Sequence, residues 1–150
     1  MRELNLKEII SYAKKIEFES FGFYKQAAEI VSDENVKDIL MQLASDETDH
    51  YNRLRHLEEE ESISKDNLEK KLQIDSELLE MLVNTDRIEP GFTGTEVLNI
   101  ALKREINTEK VYSMFLTFTS LNEVAIDIFE QLRLQEVGHI TKIQNRLKKI

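Results

Sequence analysis

Two glutamate–histidine pairs in the sequence have the residue types and the spacing to bind metal ions. Glu47 is followed three residues later by His50, and Glu136 is followed three residues later by His139. Residues three apart lie on the same face of an α-helix, so each pair presents a carboxylate and an imidazole in one direction. Each pair could therefore chelate a metal ion from a single helix.

A lone glutamate precedes each pair, and the positions repeat in the two halves of the chain. Glu17 precedes the first pair and Glu105 precedes the second, at nearly equal separations. Tyr24 follows Glu17 by seven positions, and Tyr112 follows Glu105 by the same interval. The repeat predicts two related halves that supply equal numbers of ligands to one site. The tyrosines are candidates to donate hydrogen bonds to ligand carboxylates, and they suit core aromatic positions equally well.

These charged positions interrupt apolar seams that would otherwise be typical of bundle cores. A carboxylate buried between helices costs several kcal/mol, and four at one depth would also repel one another. Two divalent cations would neutralise four carboxylates, and oxygen ligands with one imidazole per ion suit iron or manganese better than structural zinc. The simpler alternative is a polar structural core without metal. The predicted ligands are Glu17, Glu47, His50, Glu105, Glu136 and His139.

Long helices must position these residues. Apolar seams and capping residues predict helices from Asn5 to about Val31, from Glu34 to about Glu60, from Thr93, and from Asn122 towards the end of the chain. The link between the first two helices is so short that they must be antiparallel neighbours.

The connection over residues 62–93 is long, and within it the pattern predicts weaker helical pieces at Asp66–Leu72 and Ser76–Val83. A connection of this length can cross the whole bundle, which makes the third helix parallel to the second. The expected fold class is therefore all-α: a single domain over residues 1–150, built as a four-helix bundle with one long crossover between helices 2 and 3.

Composition excludes several classes of function. The net charge of -9 argues against nucleic acid and against an anionic membrane surface as partners. The chain has no cysteine, which excludes disulfides, thiolate zinc sites and iron–sulfur ligation within it. No apolar run approaches the roughly 18 residues that a membrane span requires, so the expected location is the cytoplasm.

The pattern resembles the rubrerythrin-type branch of the ferritin-like superfamily over almost the whole chain. The resemblance is carried by Glu17 in Ile-Glu-Phe-Glu-Ser-Phe-Gly-Phe-Tyr, by Glu47 and His50 in Leu-Ala-Ser-Asp-Glu-Thr-Asp-His, by Glu105 in Ala-Leu-Lys-Arg-Glu-Ile-Asn, and by the last-helix pair. It implies a ferritin-like bundle that holds two iron ions, with manganese or a mixed pair still open.

The resemblance also implies roles for individual residues. Glu47 and Glu136 would bridge the two metal ions, Glu17 and Glu105 would be terminal ligands, and each histidine would bind one ion. Members of the family react a reduced di-iron centre with hydrogen peroxide or dioxygen. The implied function is thus a peroxidase or ferroxidase type of oxidoreductase.

Two departures from the family pattern affect this expectation. Full rubrerythrins carry another glutamate one turn after the third-helix ligand, where this chain has Thr108. They also carry a cysteine-rich electron-transfer domain, so this chain would need an external donor such as a rubredoxin-like protein. The expected assembly is a homodimer. The alternatives are a non-catalytic protein that buffers iron or manganese, and a structural or partner-binding bundle.

Overall fold

Helices form nearly all of the regular structure in the computed structural model, which describes residues 2–64, 70–83, 87–118 and 122–149. Four of the helices are long, and two short strands accompany them. The elements in chain order are β1 (Arg2–Leu4), α1 (Leu6–Ile30), α2 (Glu34–Glu58), α3 (Glu61–Ser64), β2 (Leu72–Ile74), α4 (Ser76–Val83), α5 (Gly94–Leu116) and α6 (Glu123–Leu147).

Polar side chains cap the long helices at the positions that the sequence predicts. Asn5 accepts a hydrogen bond from the Glu8 backbone, and the Glu8 carboxylate accepts one from the Asn5 backbone. The same reciprocal arrangement begins α5 at Thr93. Asp33 caps α2 and Asn122 caps α6, each through its side-chain oxygen. Each cap satisfies backbone donors that are otherwise unpaired, which stabilises a helix by about 1 kcal/mol.

Contacts across the bundle define the helix directions. Tyr24 on α1 contacts Glu105 on α5, and Glu17 contacts Tyr112, so these two helices are antiparallel. The link over residues 31–33 makes α1 antiparallel to α2. Helix α5 therefore runs parallel to α2, which confirms the predicted crossover.

The predicted helix over Asp66–Leu72 is wrong at its described end. Leu72 begins strand β2, which pairs antiparallel with β1 so that Leu4 lies opposite Leu72 and Arg2 opposite Ile74. Residues 65–69 lie outside the described part of the chain. The strands are only three residues each, too short for a period-2 pattern to be detected. Their buried residues Leu4, Leu72 and Ile74 close one end of the core.

The second helix also ends slightly earlier than predicted, at Glu58 rather than near Glu60. The acidic residues that follow are exposed, as expected for a solvated helix end. Glu58 forms an ion pair of 3.0 Å with Lys14 on α1. The helix over Ser76–Val83 is confirmed, and α4 packs beside α5.

Two apolar clusters fill the bundle, one towards each end. The first includes Ile10, Leu54, Phe115 and Phe129, together with the buried strand residues. The second includes Leu40 and other residues from the opposite ends of the same four helices. The predicted ligand positions lie between the two clusters on every long helix. This arrangement places a polar layer between apolar layers that exclude water from above and below.

Within the described ranges, none of the helices combines the length and apolar composition needed to span a membrane.

Candidate metal site

The structure brings all six predicted ligands together in the polar layer. Their exposed fractions range from 0% to 6%, although every one of them is a carboxylate or an imidazole. Helices α1 and α5 contribute one glutamate each, and α2 and α6 contribute one Glu–His pair each. The residues are Glu17, Glu47, His50, Glu105, Glu136 and His139.

The six side chains form two overlapping groups, each able to surround one ion. Glu17 and His50 belong to the first group, and Glu105 and His139 to the second. Glu47 and Glu136 belong to both. Within each group the candidate ligand atoms all lie within 4.8 Å of one another. Two positions with two shared carboxylates fit the bridging arrangement that the family resemblance implies.

The first group is centred on His50. Its Nδ1 lies 3.3 Å from Glu17 Oε2 and 3.5 Å from Glu136 Oε1. Glu47 Oε2 lies 4.0 Å away from the same nitrogen. One nitrogen therefore faces three carboxylates contributed by three different helices.

The second group has nearly the same geometry around His139. Its Nδ1 lies 3.4 Å from Glu47 Oε1, 3.5 Å from Glu105 Oε2 and 3.6 Å from Glu136 Oε2. The two imidazole rings are stacked, with centroids 5.7 Å apart. The inward nitrogen is Nδ1 in both cases, a detail that the Glu-x-x-His spacing leaves open.

Unpartnered polar atoms concentrate at this layer. Among the described residues, buried side-chain atoms without a hydrogen-bond partner include seven from the six candidate ligands. Such atoms are rare in folded proteins, because each one loses its hydration without gaining a hydrogen bond in return. Oxygen and imidazole nitrogen donors suit divalent transition metals, so the residues fit two such ions. The atoms are Oε2 of Glu17, Oε1 of Glu47, Nδ1 of His50, Oε2 of Glu105, both carboxylate oxygens of Glu136 and Nδ1 of His139.

The two candidate tyrosines reach carboxylates on the opposite hairpin. The Tyr24 hydroxyl donates to Glu105, and the Tyr112 hydroxyl donates to Glu17. Both rings are fully buried, and burial raises the pKa of both phenols well above 10. The hydroxyls therefore remain protonated donors at neutral pH.

The outer nitrogens of the histidines have partners that sequence reasoning missed. His139 Nε2 lies 2.9 Å from Asp46 Oδ2, and His50 Nε2 contacts Gln135 Oε1. Asp46 and Gln135 each stand directly before a shared glutamate. Their position next to the motif was a possible signal, but their contact with the other helix depends on how α2 and α6 pack.

In the absence of metal ions, bound protons offset part of the negative charge of the four carboxylates. Burial alone would lower the pKa of His50, but Glu136 and Glu17 raise it to about 10. Burial would also lower the pKa of His139, but Glu136 and Glu47 raise it to about 11. Burial, together with the charges of Glu136 and Glu17, raises the pKa of Glu47 well above its ordinary range. In the metal-free protein these raised pKa values favour protonation of His50, His139 and Glu47.

A buried cation and a small hydroxyl residue accompany the cluster on α5. Burial lowers the pKa of Arg104, whose guanidinium lies 4.7 Å from the Phe23 ring centre and donates to Ser20 Oγ. Thr108, which lies one turn after Glu105 where full rubrerythrins carry a further glutamate, donates its hydroxyl to the Arg104 carbonyl at 2.9 Å. Thr108 is therefore engaged with its own helix.

The fold and the buried cluster define a ferritin-like helical bundle with a paired carboxylate–histidine layer. Comparison with known proteins identifies the family: the sequence profile called Rubrerythrin matches residues 1–89, and the chain belongs to that family. The matched part includes Glu17, Glu47 and His50 but stops before Glu105. The equivalence of the second-half ligands therefore depends on the structure and on the internal repeat.

The fold also matches a solved structure. A Thermotoga maritima protein assigned as a ferritin-like diiron-carboxylate protein superposes with a TM-score of 0.73 and 21% identity, covering 99% of this chain and 97% of that one. At this identity the match establishes the fold. No curated protein matches the sequence significantly.

Proposed function

We propose that the six buried side chains hold two iron ions, and that the protein is an oxidoreductase that reduces hydrogen peroxide or dioxygen. The observation that carries this proposal is the convergence of seven unpartnered buried ligand atoms into two groups that share Glu47 and Glu136. Family membership agrees with it. Manganese or a mixed pair is chemically compatible with the same donors.

Charge balance favours two divalent ions over one. Four carboxylates with neutral imidazoles carry four negative charges, which two divalent cations neutralise completely. A single ion would leave two negative charges that retained protons would have to offset, in a layer between apolar clusters where uncompensated charge is strongly unfavourable. The protons that occupy the metal-free cluster would leave as metal binds.

When held by the six side chains, two ferrous ions would supply two electrons, which together with two protons taken up from solution reduce hydrogen peroxide to two waters. The residues of the chain would bind the ions, orient the ligands and exclude bulk water. Tyr24 and Tyr112 orient the terminal carboxylates, and the two apolar clusters keep bulk water out. These 150 residues contain no cysteine for an iron–sulfur centre, so the electrons that return the ions to the ferrous state would come from a donor outside them.

Stopped-flow spectroscopy of the anaerobic ferrous protein mixed with peroxide tests the proposal. We expect oxidation of two irons per chain, faster than that of ferrous ions in buffer. Glu47→Gln is the matched variant, because it keeps the side-chain shape and removes the charge shared by both positions. Oxidation no faster than free iron, or equal rates in the variant, would contradict the proposal.

A second candidate is metal buffering without turnover. Thr108 favours it, because its hydroxyl is bonded to the Arg104 carbonyl where rubrerythrins carry an additional glutamate. Elemental analysis of protein purified without added metal, combined with the peroxide experiment, separates the two candidates. Stable metal loading with no reductant-supported peroxide consumption would favour buffering.

A further inference from the structure

The two halves of the site are alike in their ligands but differ in what holds each histidine. His139 Nε2 lies 2.9 Å from a carboxylate oxygen of Asp46. His50 Nε2 instead contacts the side-chain amide oxygen of Gln135. Since both imidazoles face the cluster through Nδ1, the outer partner governs how well that nitrogen serves as a ligand.

Asp46 and Gln135 occupy equivalent places in the internal repeat. Each directly precedes a shared glutamate, and each reaches the histidine of the opposite helix. The repeat preserves the glutamates, the histidines and the tyrosines. It also preserves the glutamine four residues before Asp46 and Gln135. The change from carboxylate to amide therefore breaks the symmetry at the atoms that touch the imidazoles.

The chemistry of the two partners differs in a way that matters for metal binding. A carboxylate only accepts hydrogen bonds, so Asp46 requires a hydrogen on His139 Nε2, and in the neutral imidazole that binds metal the Nδ1 lone pair then faces the cluster. A glutamine amide can accept or donate, so Gln135 tolerates either tautomer of His50. The negative charge of a carboxylate also makes its imidazole a stronger donor to metal.

Asp46 is itself held in place for this contact. Gln42 donates from Nε2 to Asp46 Oδ1 at 3.1 Å, which leaves Oδ2 directed at His139. The equivalent glutamine in α6, Gln131, accepts from Arg53 at 3.3 Å instead. The glutamine of α2 therefore supports the residue that contacts a histidine, whereas the equivalent glutamine of α6 contacts Arg53 instead.

We propose that the two metal positions are unequal, and that the position at His139 binds a divalent ion more tightly and fills first. Asp46 and Gln135 act as positioning residues that set this difference. The inference rests on the proposed metal site and concerns the order of filling within it. Outer partners of histidine ligands typically change metal affinity by about 10- to 100-fold, so we expect the two affinities to differ by about tenfold.

Titration of the metal-free protein with Co²⁺ tests the inference, using the visible absorption of the bound ion. We expect two separate binding phases. Crystals prepared with one equivalent of Co²⁺ should show anomalous scattering mainly beside His139. Asp46→Asn should weaken the first phase by about tenfold, and Gln135→Glu should strengthen the second by a similar factor and merge the two phases.

Matched controls exist on the same helices. Asp49→Asn removes a carboxylate that pairs with Arg53 at 3.1 Å, and Gln131→Glu changes an amide that contacts the same arginine. Both controls should keep two phases. Two ions bound with equal affinity, or a first ion located beside His50, would overturn the inference and leave the proposed site intact. Failure to bind Co²⁺ at all would overturn the proposed metal site itself.

Discussion

Tyr112 on α5 donates its hydroxyl hydrogen to the carboxylate of Glu17 on α1, across the bundle. The contact holds Oε1 of Glu17, while Oε2 of the same carboxylate lies 3.3 Å from His50 Nδ1. The equivalent contact from Tyr24 to Glu105 makes the restraint mutual between the two hairpins. Each hairpin therefore positions a candidate ligand that belongs to the other.

Replacing Tyr112 by phenylalanine should weaken metal binding without unfolding the protein. The ring still fills its buried position, but Glu17 loses the donor that orients it. We expect metal affinity to fall by about tenfold, and the metal-free protein to lose about 1–3 kcal/mol of stability. Mn²⁺ titration and urea unfolding measure the two effects. Tyr51→Phe is the control, because that ring packs against Phe18 at the surface. Equal effects in both variants would contradict the positioning role.

Stability of the metal-free protein should fall as pH rises from about 6.5 to about 10. Burial opposes protonation of His50 and His139, but the surrounding carboxylates raise their pKa values to about 10 and about 11. A folded-state pKa above the ordinary value of about 6.5 stabilises the fold fully below pH 6.5, and the contribution is lost as pH rises towards the folded value.

Urea unfolding across pH 6–10 measures this effect. The metal-loaded protein should show a weaker dependence, because bound ions replace the protons on the imidazoles. Stability that is flat or rises over this range in the metal-free protein would contradict the assignment of protonated histidines.

Replacing a glutamate that belongs to both ligand groups should cost more bound ions than replacing a glutamate that belongs to only one. Glu47 belongs to both groups and Glu17 to one. At a Mn²⁺ concentration that just saturates the wild type, Glu17→Gln should retain about one ion per chain and Glu47→Gln close to none. Equilibrium dialysis with elemental analysis counts the bound ions.

The exposed Glu29 on α1 supplies the control for that comparison. Glu29→Gln should bind as many ions as the wild type, because its carboxylate lies outside both groups. Equal losses in Glu17→Gln and Glu47→Gln would show that Glu47 is not shared.

Thr108→Val should be nearly silent for metal binding. The Thr108 hydroxyl donates to the Arg104 carbonyl of its own helix, and it is not among the candidate ligand groups. We expect unchanged ion stoichiometry and a stability change within about 1 kcal/mol. Loss of an ion in this variant would show that Thr108 takes part in the site.

Sequence patterns were sufficient to predict the four long helices and the six side chains that cluster between them. Capping residues such as Thr93 act on their own backbone, and seam residues follow a 3.6-residue period, so both signals are local. The burial of Glu17 and Glu105 follows from their place in apolar seams. The strand at Leu72–Ile74 was missed because its stabilising partner, Arg2–Leu4, is remote in the chain.

Residue types and spacing by themselves determined that four carboxylates and two imidazoles would face inward from four helices. The tertiary structure alone decided that Tyr24 serves Glu105 rather than Glu17, that Nδ1 is the inward nitrogen, and that Asp46 and Gln135 hold the two imidazoles differently. Such pairings depend on the rotation and offset of helices packed against one another. A local sequence period does not encode these quantities, because they arise from packing between distant segments.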